Sequence, residues 1–557
     1  MNIKENIIFL ALFLYAKNII YFFYPSRSIY LSYFFKMMII KNENGISFKL
    51  SQKDFTAKIV GSQDVRGDVH IPRTINHQSQ DYVITIVDAT SFAGQKKISS
   101  ISFSDDSELI TICDHAFTNS SLESIFIPSS VNTIEESAFS WCKKLYSVSF
   151  ADNSNLESIK NEAFSYTSIE NIVIPKSVKS IGEKAFCNCR NLKLVEFQSN
   201  SELCSISKNV FSNTSLENIK IPSKVSQINE NSFYNCEKLK SIEFSEDSQL
   251  VTIEKASFFK CPINTIFIPS KVKELKEGWC VEMNELREIN ISPKNNFLSI
   301  FENKMMVGKT NEFNDYYDVI HFAFRDIKNV KIPSKIKKIE SNSFAKCFQL
   351  KTIVFSQNSE LYKIGDLAFF YSSITRIVIP SKVQIIGDNA FSGCTNLKSI
   401  EFSENSELQS IGKFAFLCTS IERIEIPSKV NLIGECIFKD CMVLKSIEFL
   451  NDSQLLSINK SAMYNSSVRN VLIPSSIELI DKLAFSCCFK LKSFEFLGDS
   501  ITIENSSFSK CKNFLVVSFP NVLNITVVKL AFSGVPSDFS FFVKSNTKVN
   551  LVTFVSS

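Results

Sequence analysis

The apolar positions of this chain follow one template repeated along nearly its whole length. Residues 127–150 read IPSSVNTIEESAFSWCKKLYSVSF and residues 151–173 read ADNSNLESIKNEAFSYTSIENIV, two versions of the same pattern. In each, an anchor Phe is followed by a Leu or Ile and then by a short alternating stretch. LKSIEF is an example, with Leu397, Ile400 and Phe402 as its apolar members. Alternation at period two predicts a strand with one buried face.

Two residue series fix the period. Ile127, Ile174, Ile221 and Ile268, then Ile332, Ile379, Ile426 and Ile473, each precede a Pro, and within each group the step is 47 residues. Phe139, Phe186 and Phe233 keep the same step, interleaved with Phe117, Phe164, Phe211 and Phe258. Further on, Phe344, Phe391, Phe438, Phe485 and Phe532 alternate with Phe369, Phe416 and Met463. Each unit of 47 contains two similar halves, so the structural coil is 23 or 24 residues, and about eighteen coils fit the chain. One such coil cannot bury its apolar side alone and gains a core only by stacking on neighbours. The expected fold is therefore a repeat solenoid, rich in β structure, with parallel strands about 4.8 Å apart. Each buried Phe contributes roughly 1.5 to 3 kcal/mol. Pro after Ile lacks an N–H, so it is expected to stop the ladder and turn the chain out of the sheet.

The template I-P-S-x-V-x-x-I-x-x-x-A-F-x-x-C-x-x-L-x-x-I-x-F resembles the BspA-like leucine-rich repeats over roughly residues 46–532. The resemblance implies a leucine-rich-repeat superhelix with a second short strand near V-x-x-I and a short helical turn near A-F. It also implies a surface antigen or adhesin role. The organisation expected is an apolar segment at 1–45, a cap and first coils at 46–126, and repeats at 127–291. An irregular coil at 292–331, repeats at 332–532 and a C-terminal cap at 533–557 follow.

The irregular coil is the largest departure from the template, because 64 residues instead of 47 separate Ile268 from Ile332. Cys280 takes the anchor place behind Trp279, and Met283 replaces the next Cys. Residues 295–324 alternate apolar and polar around Gly308, which predicts a hairpin. A binding excursion and a packed structural variant are both open readings, the second favoured.

Composition excludes more than it identifies. At 45% hydrophobic and 21% charged the chain folds, and no Pro/Gly/Ser-rich linker divides it. A net charge of +4, with signs interspersed, leaves no basic face for nucleic acid. The four histidines, His70, His77, His115 and His321, show no nucleophile or metal spacing, and no phosphate loop occurs. No catalytic residue, cofactor or metal site is expected.

Cysteines are the remaining chemistry. Cys142, Cys189, Cys236, Cys347, Cys394, Cys441 and Cys488 each follow an anchor Phe by three residues. Successive members of this ladder are two coils apart, about 10 Å, beyond the roughly 7 Å limit for a disulfide. They read as buried free thiols filling the core, and zinc is not expected, since the spacing is that of the repeat and no His lies in register. Cys236 with Cys261, and Cys488 with Cys511, are the pairs at equivalent places in adjacent coils. They are expected to be able to bridge in an oxidising compartment.

Strand residues that point outward are the candidate binding face. Glu196, Glu243, Glu401, Glu448 and Glu495 lie in one coil type and Val173, Phe267, Val378 and Leu472 in the other, giving an acidic and apolar stripe. A solvated sheet is the plainer reading. A row of Lys224, Lys271, Lys335, Lys382 and Lys429 reads as solubility. The expected partners are protein or glycan ligands. Cell-surface or secreted location, with a cytoplasmic scaffold as the alternative, turns on the apolar residues 1–40, the only place for membrane association. They are organised like neither a good signal peptide nor a good membrane span, and two readings stand equal: a signal anchor or uncleaved signal, and a translation start at Met37 or Met38. Sequons such as Asn119-Ser-Ser, Asn213-Thr-Ser and Asn465-Ser-Ser matter only after secretion.

Overall fold

The structure is a computed structural model that describes residues 38–450 and 452–552. The stretch 1–37, and with it the signal or anchor expectation, lies outside the described residues. Over the described residues the chain winds as a parallel β-solenoid of about 21 turns, with no helix among them. Coil length alternates between 22 and 25 residues, as seen in the steps between equivalent positions from Ser120 to Cys142 and from Ser140 to Ser165. The chain divides into two compact units, Met1–Leu203 and Cys204–Ser557.

The first unit opens with antiparallel strands, Ile39–Lys41 on Ile46–Ser51 and Ile46–Ser51 on Thr56–Ser62. Ile46, Phe48 and Leu50 point inward and cover the end of the core. Two parallel sheets then run along the coils. One is built from two-residue strands such as Thr111–Ile112, Thr133–Ile134, Ser158–Ile159 and Ser180–Ile181. The other is built from four-residue strands such as Ser124–Ile127, Ser147–Phe150, Asn171–Ile174 and Leu194–Phe197. The second unit repeats this plan.

At the Ala-Phe segments the expected helical turns are replaced by a third inter-coil ladder. In the coil of Phe391, the N–H groups of Asn389, Phe391 and Gly393 donate to the carbonyls of Lys413, Ala415 and Leu417 in the following coil, each at 2.8 Å. The intervening amides of Ala390, Ser392 and Cys394 donate three residues back within the turn. A helix would send every N–H four residues back and leave none for the neighbour. The backbone achieves this alternation by placing residues four apart in the left-handed region, Asn389 (φ 55) and Gly393 (φ 72) here, Ser137 (φ 55) and Trp141 (φ 63) in the first unit.

Inside, the anchor rings stack. Phe92, Phe117, Phe139 and Phe164 lie at centroid spacings of 4.9–5.1 Å within 5° of parallel. In the second unit Phe369, Phe391 and Phe416 follow at 5.1 and 5.6 Å. Three residues beyond each anchor runs a buried ladder that is more polar than the expected filler. Cysteine alternates with Ser or Thr: Ser120, Cys142, Thr167 and Cys189 in the first unit, and Ser372, Cys394, Thr419, Cys441, Ser466 and Cys488 in the second. Each thiol donates to the anchor carbonyl of the preceding coil, as Cys394 does to Phe369 at 2.9 Å and Cys441 to Phe416 at 3.1 Å. Each also meets the neighbouring hydroxyl, as Cys189 meets Thr167 at 3.2 Å. Burial pushes the Cys394 and Cys488 thiols up to about 12, so they stay protonated donors.

Replacing Phe391 by Ala removes the middle ring of a stack and should cost about 3 to 5 kcal/mol. Urea unfolding, with hydrogen exchange read in the coils of Phe369 and Phe416, measures it. Unchanged exchange in both neighbours would contradict the anchor role.

Candidate interaction face

The outward side of the four-residue strands brings together the expected stripe. In the first unit Val173 and Glu196 are register partners. In the second, Val378 pairs with Glu401 and Leu472 with Glu495. Glu243 lies beside Lys220, and Phe267 beside Asn290. Val173, Val378 and Leu472 are 47%, 41% and 50% exposed, and the glutamates are exposed, while Phe267 is half-buried. Glu448 is opposed in register by Glu425, a like-charge contact that costs stability and that the sheet tolerates only because both face solvent. Glu401 receives Arg376 at 2.7 Å.

Two members of the row were not read from the sequence. Phe126 and Val354 are 43% and 56% exposed and hold the same outward register as Val173. Carrying that register through every coil would have found them. On the turn side, exposed Trp141 and Tyr166 stack at 4.0 Å with Lys143 5.2 Å above the indole.

The face is not a continuous sheet, and proline is part of the cause. Where a Glu-Phe type strand follows an Ile-Pro strand, the residue after Phe donates back to the Ile carbonyl, as Ser356 does to Ile332 and Ser403 to Ile379, both at 3.0 Å. Where the order is reversed, the equivalent residue is Pro, and the rung has no donor. Pairing accordingly stops after one residue pair between Thr352–Phe355 and Arg376–Ile379, against four between Arg376–Ile379 and Ser399–Phe402. Ser399–Phe402 and Arg423–Ile426 fall in separate sheets altogether, as do Ser446–Phe449 and Asn470–Ile473. Loop width is the second cause. Residues 356–362 separate Phe355 from its next strand, whereas 497–499 suffice after Phe496, and there three residue pairs survive although Pro520 stands in the following coil. The split beside Val354 and Val378 opens a cleft of about 800 Å³, lined also by Ser356, Arg376, Pro380 and Lys382.

The irregular coil is packed in its strands and projects only at its tip. Leu298–Phe301, Met305–Gly308 and Val319–Ala323 form an antiparallel set, and the last pairs in parallel with Lys338–Ile339. Asp318, fully buried, accepts from the Thr310 amide at 2.7 Å and hydroxyl at 2.6 Å and from Asn314 at 3.1 Å, with Lys337 at 3.5 Å. These bonds hold a loop that carries Phe313, 84% exposed. Beneath it His321 is buried, and a Cβ at Gly308 would collide with its Nε2, which explains the glycine there. His321 Nδ1, Trp279 Nε1 and Glu340 Oε2 are buried without a hydrogen-bond partner. Burial, aided by the charge of Lys338, lowers His321 to about 4. Lys338 bonds Glu340 at 2.7 Å and lies 3.7 Å from Glu277. Among the described residues no group of three or more His, Cys, Asp or Glu is arranged to hold a metal ion. Nor is there among them a helix long and apolar enough to cross a membrane.

Comparison with known proteins adds the following. The profile of the BspA type leucine rich repeat region matches in six copies, over residues 74–193, 157–284, 204–306, 319–445 and 431–557. No curated protein matches in sequence. Among solved structures, a leucine-rich repeat protein from Bacteroides ovatus is 20% identical, covering 93% of this chain and 100% of its own, with a TM-score of 0.43. The pneumococcal vaccine antigen PcpA is 17% identical over 91% of this chain and 99% of its own, at 0.37. A leucine rich cell surface protein from Faecalibacterium prausnitzii is 16% identical over 92% and 94%, at 0.33.

Two outcomes are expected. Pro380→Ser supplies the missing donor toward Phe355 and should create a slowly exchanging amide at 380. Fast exchange there would leave the wide loop as the sole cause of the split. His321 is neutral when folded and takes up a proton near 6.5 when unfolded, so its share of stability is complete above 6.5 and is lost as pH falls toward about 4. The loss amounts to about 3 kcal/mol at full extent. Comparing the pH dependence of urea midpoints with that of His321→Gln checks this, and parallel profiles would refute it.

Proposed function

Because this chain belongs to the BspA type leucine-rich repeat family, we propose that it is a non-enzymatic interaction protein, an antigen or adhesin at the cell surface or in secreted form. It binds host or microbial proteins or glycans through the outward face of its four-residue strands. One observation carries the reading: Val354 and Val378 are exposed on either side of the cleft, and the row members flanking them, Lys331 on one side and Glu401, Glu425 and Glu448 on the other, are charged. Neither side chain is needed by the core, and apolar anchors ringed by charge are what a recognition surface uses. Glu401 and Arg376, paired on the rim, orient a partner more than they hold it. The surface role itself is proposed from what the family resemblance implies. The absence of a nucleophile, base and oxyanion grouping from the sequence motifs supports a non-catalytic role.

Binding of the purified chain to a panel of extracellular-matrix proteins and cell-wall glycans tests the face. Val354→Glu with Val378→Glu should weaken any saturable binding at least tenfold, equivalent to about 1.4 kcal/mol, with unchanged unfolding. Undiminished binding would refute the assignment. Labelling intact cells with a non-permeant amine reagent tests location, and protection of every lysine would favour an intracellular scaffold.

A further inference from the structure

The alternation of thiol and hydroxyl in the buried ladder fails at two places in the second unit. After Thr214 and Cys236 the next member is Cys261, and after Ser466 and Cys488 it is Cys511. Each doublet ends its ladder: the following positions are Met283 and Val535. All four thiols are buried.

The local geometry brings such a pair within bonding reach. Neighbouring ladder atoms elsewhere touch, with Thr214 Oγ1 3.2 Å from Cys236 Sγ and Ser466 Oγ 3.5 Å from Cys488 Sγ. A second sulfur in the hydroxyl's place therefore lies at a similar separation. Coils about 4.8 Å apart fall inside the Cα range that a disulfide spans. Cys236 and Cys261 donate to the anchor carbonyls of Phe211 and Phe233, each at 3.1 Å, and Cys488 and Cys511 to Met463 and Phe485, also at 3.1 Å. The members of each doublet thus point the same way from adjacent coils. Burial raises the Cys261 thiol well above its ordinary value. Burial acts on Cys236 too, but its polar contacts with the Cys261 and Thr214 side chains outweigh it and lower that thiol.

We propose that Cys236 with Cys261 and Cys488 with Cys511 are oxidised to two inter-coil disulfides that staple the ends of the two buried ladders. In each, two S–H bonds break, one S–S bond forms, and two protons and two electrons leave. The electrons pass by thiol–disulfide exchange to a disulfide oxidant, which becomes two thiols. Burial confines the reaction to the time before the coils dock or to moments when a ladder end opens. The remaining ladder cysteines alternate with hydroxyls and have no such partner one coil away. The proposal takes its oxidising environment from the surface or secreted reading, and a test in vitro separates the two.

The full chain is reduced, unfolded and refolded in a mixture of reduced and oxidised glutathione; free thiols are then alkylated and peptides mapped without reduction. A parallel sample of native reduced protein is held with oxidised glutathione at raised temperature. Expected are cross-linked peptides joining Cys236 to Cys261 and Cys488 to Cys511, four of the 16 cysteines consumed and twelve alkylated. Cys261→Thr and Cys511→Thr restore the alternation, and each should fold and lose only its own cross-link. The melting midpoint of the parent should drop by several degrees on adding reductant, while that of the double variant should not respond. Alkylation of all cysteines in both samples, or cross-links scattered over exposed thiols such as Cys204 and Cys418, would overturn the assignment.

Discussion

A chain wound into coils this thin has to satisfy its backbone amides on the coils beside it, and that requirement governs everything else in the molecule. Three ladders meet it: two-residue strands, four-residue strands, and the Ala-Phe turns. The turns send alternate amides to the following coil, whereas residues next to the short strands, such as Gly387 toward Ile364, send theirs to the preceding one. Neighbouring coils are thereby clamped from both directions. Left-handed residues in the turns are the conformational cost, borne by residues as unlike as Asn389 and Trp141.

Once this clamping exists, the side chains have little freedom. Anchor rings stack because successive turns lie in register, and a small donor must follow them because each anchor carbonyl faces inward. Thiol and hydroxyl both fit that place. The irregular coil keeps the pairing rule by other means, folding back on itself as antiparallel strands before rejoining a parallel ladder at Lys338–Ile339. It leaves His321, Trp279 and Glu340 each with a buried ring or carboxylate atom that has no partner, whereas among the described residues of the regular coils the atoms in that state are serine hydroxyls, Ser245, Ser446 and Ser476.

Periodicity of Phe and Ile-Pro was enough to read the solenoid and the buried and outward faces, because those depend on side-chain alternation alone. The nine stripe residues all face outward for that reason. What escaped was set by backbone hydrogen bonding that leaves no apolar signature. The turns at Ala-Phe carry residues with good helical propensity yet are held in another conformation by the next coil. Cysteine's role as a donor to the anchor carbonyl needed the carbonyl's direction, although the alternating Ser and Thr were visible in the sequence. Proline was read as ending a strand; its larger effect is on the strand beside it, since the missing amide is a lateral one.

That lateral gap recurs. Within the second unit the splits beyond Phe355, Phe402 and Phe449 stand two coils apart, a step of about 10 Å at parallel-strand spacing. Such a row is a ruler as well as a surface. Under the binding role proposed above, a polymer whose own repeat matched the step would meet successive gaps in phase, and each later contact would form at the high effective concentration set by the first. Affinity for such a partner would then grow with its length, so that individually weak contacts would retain long chains and release short ones.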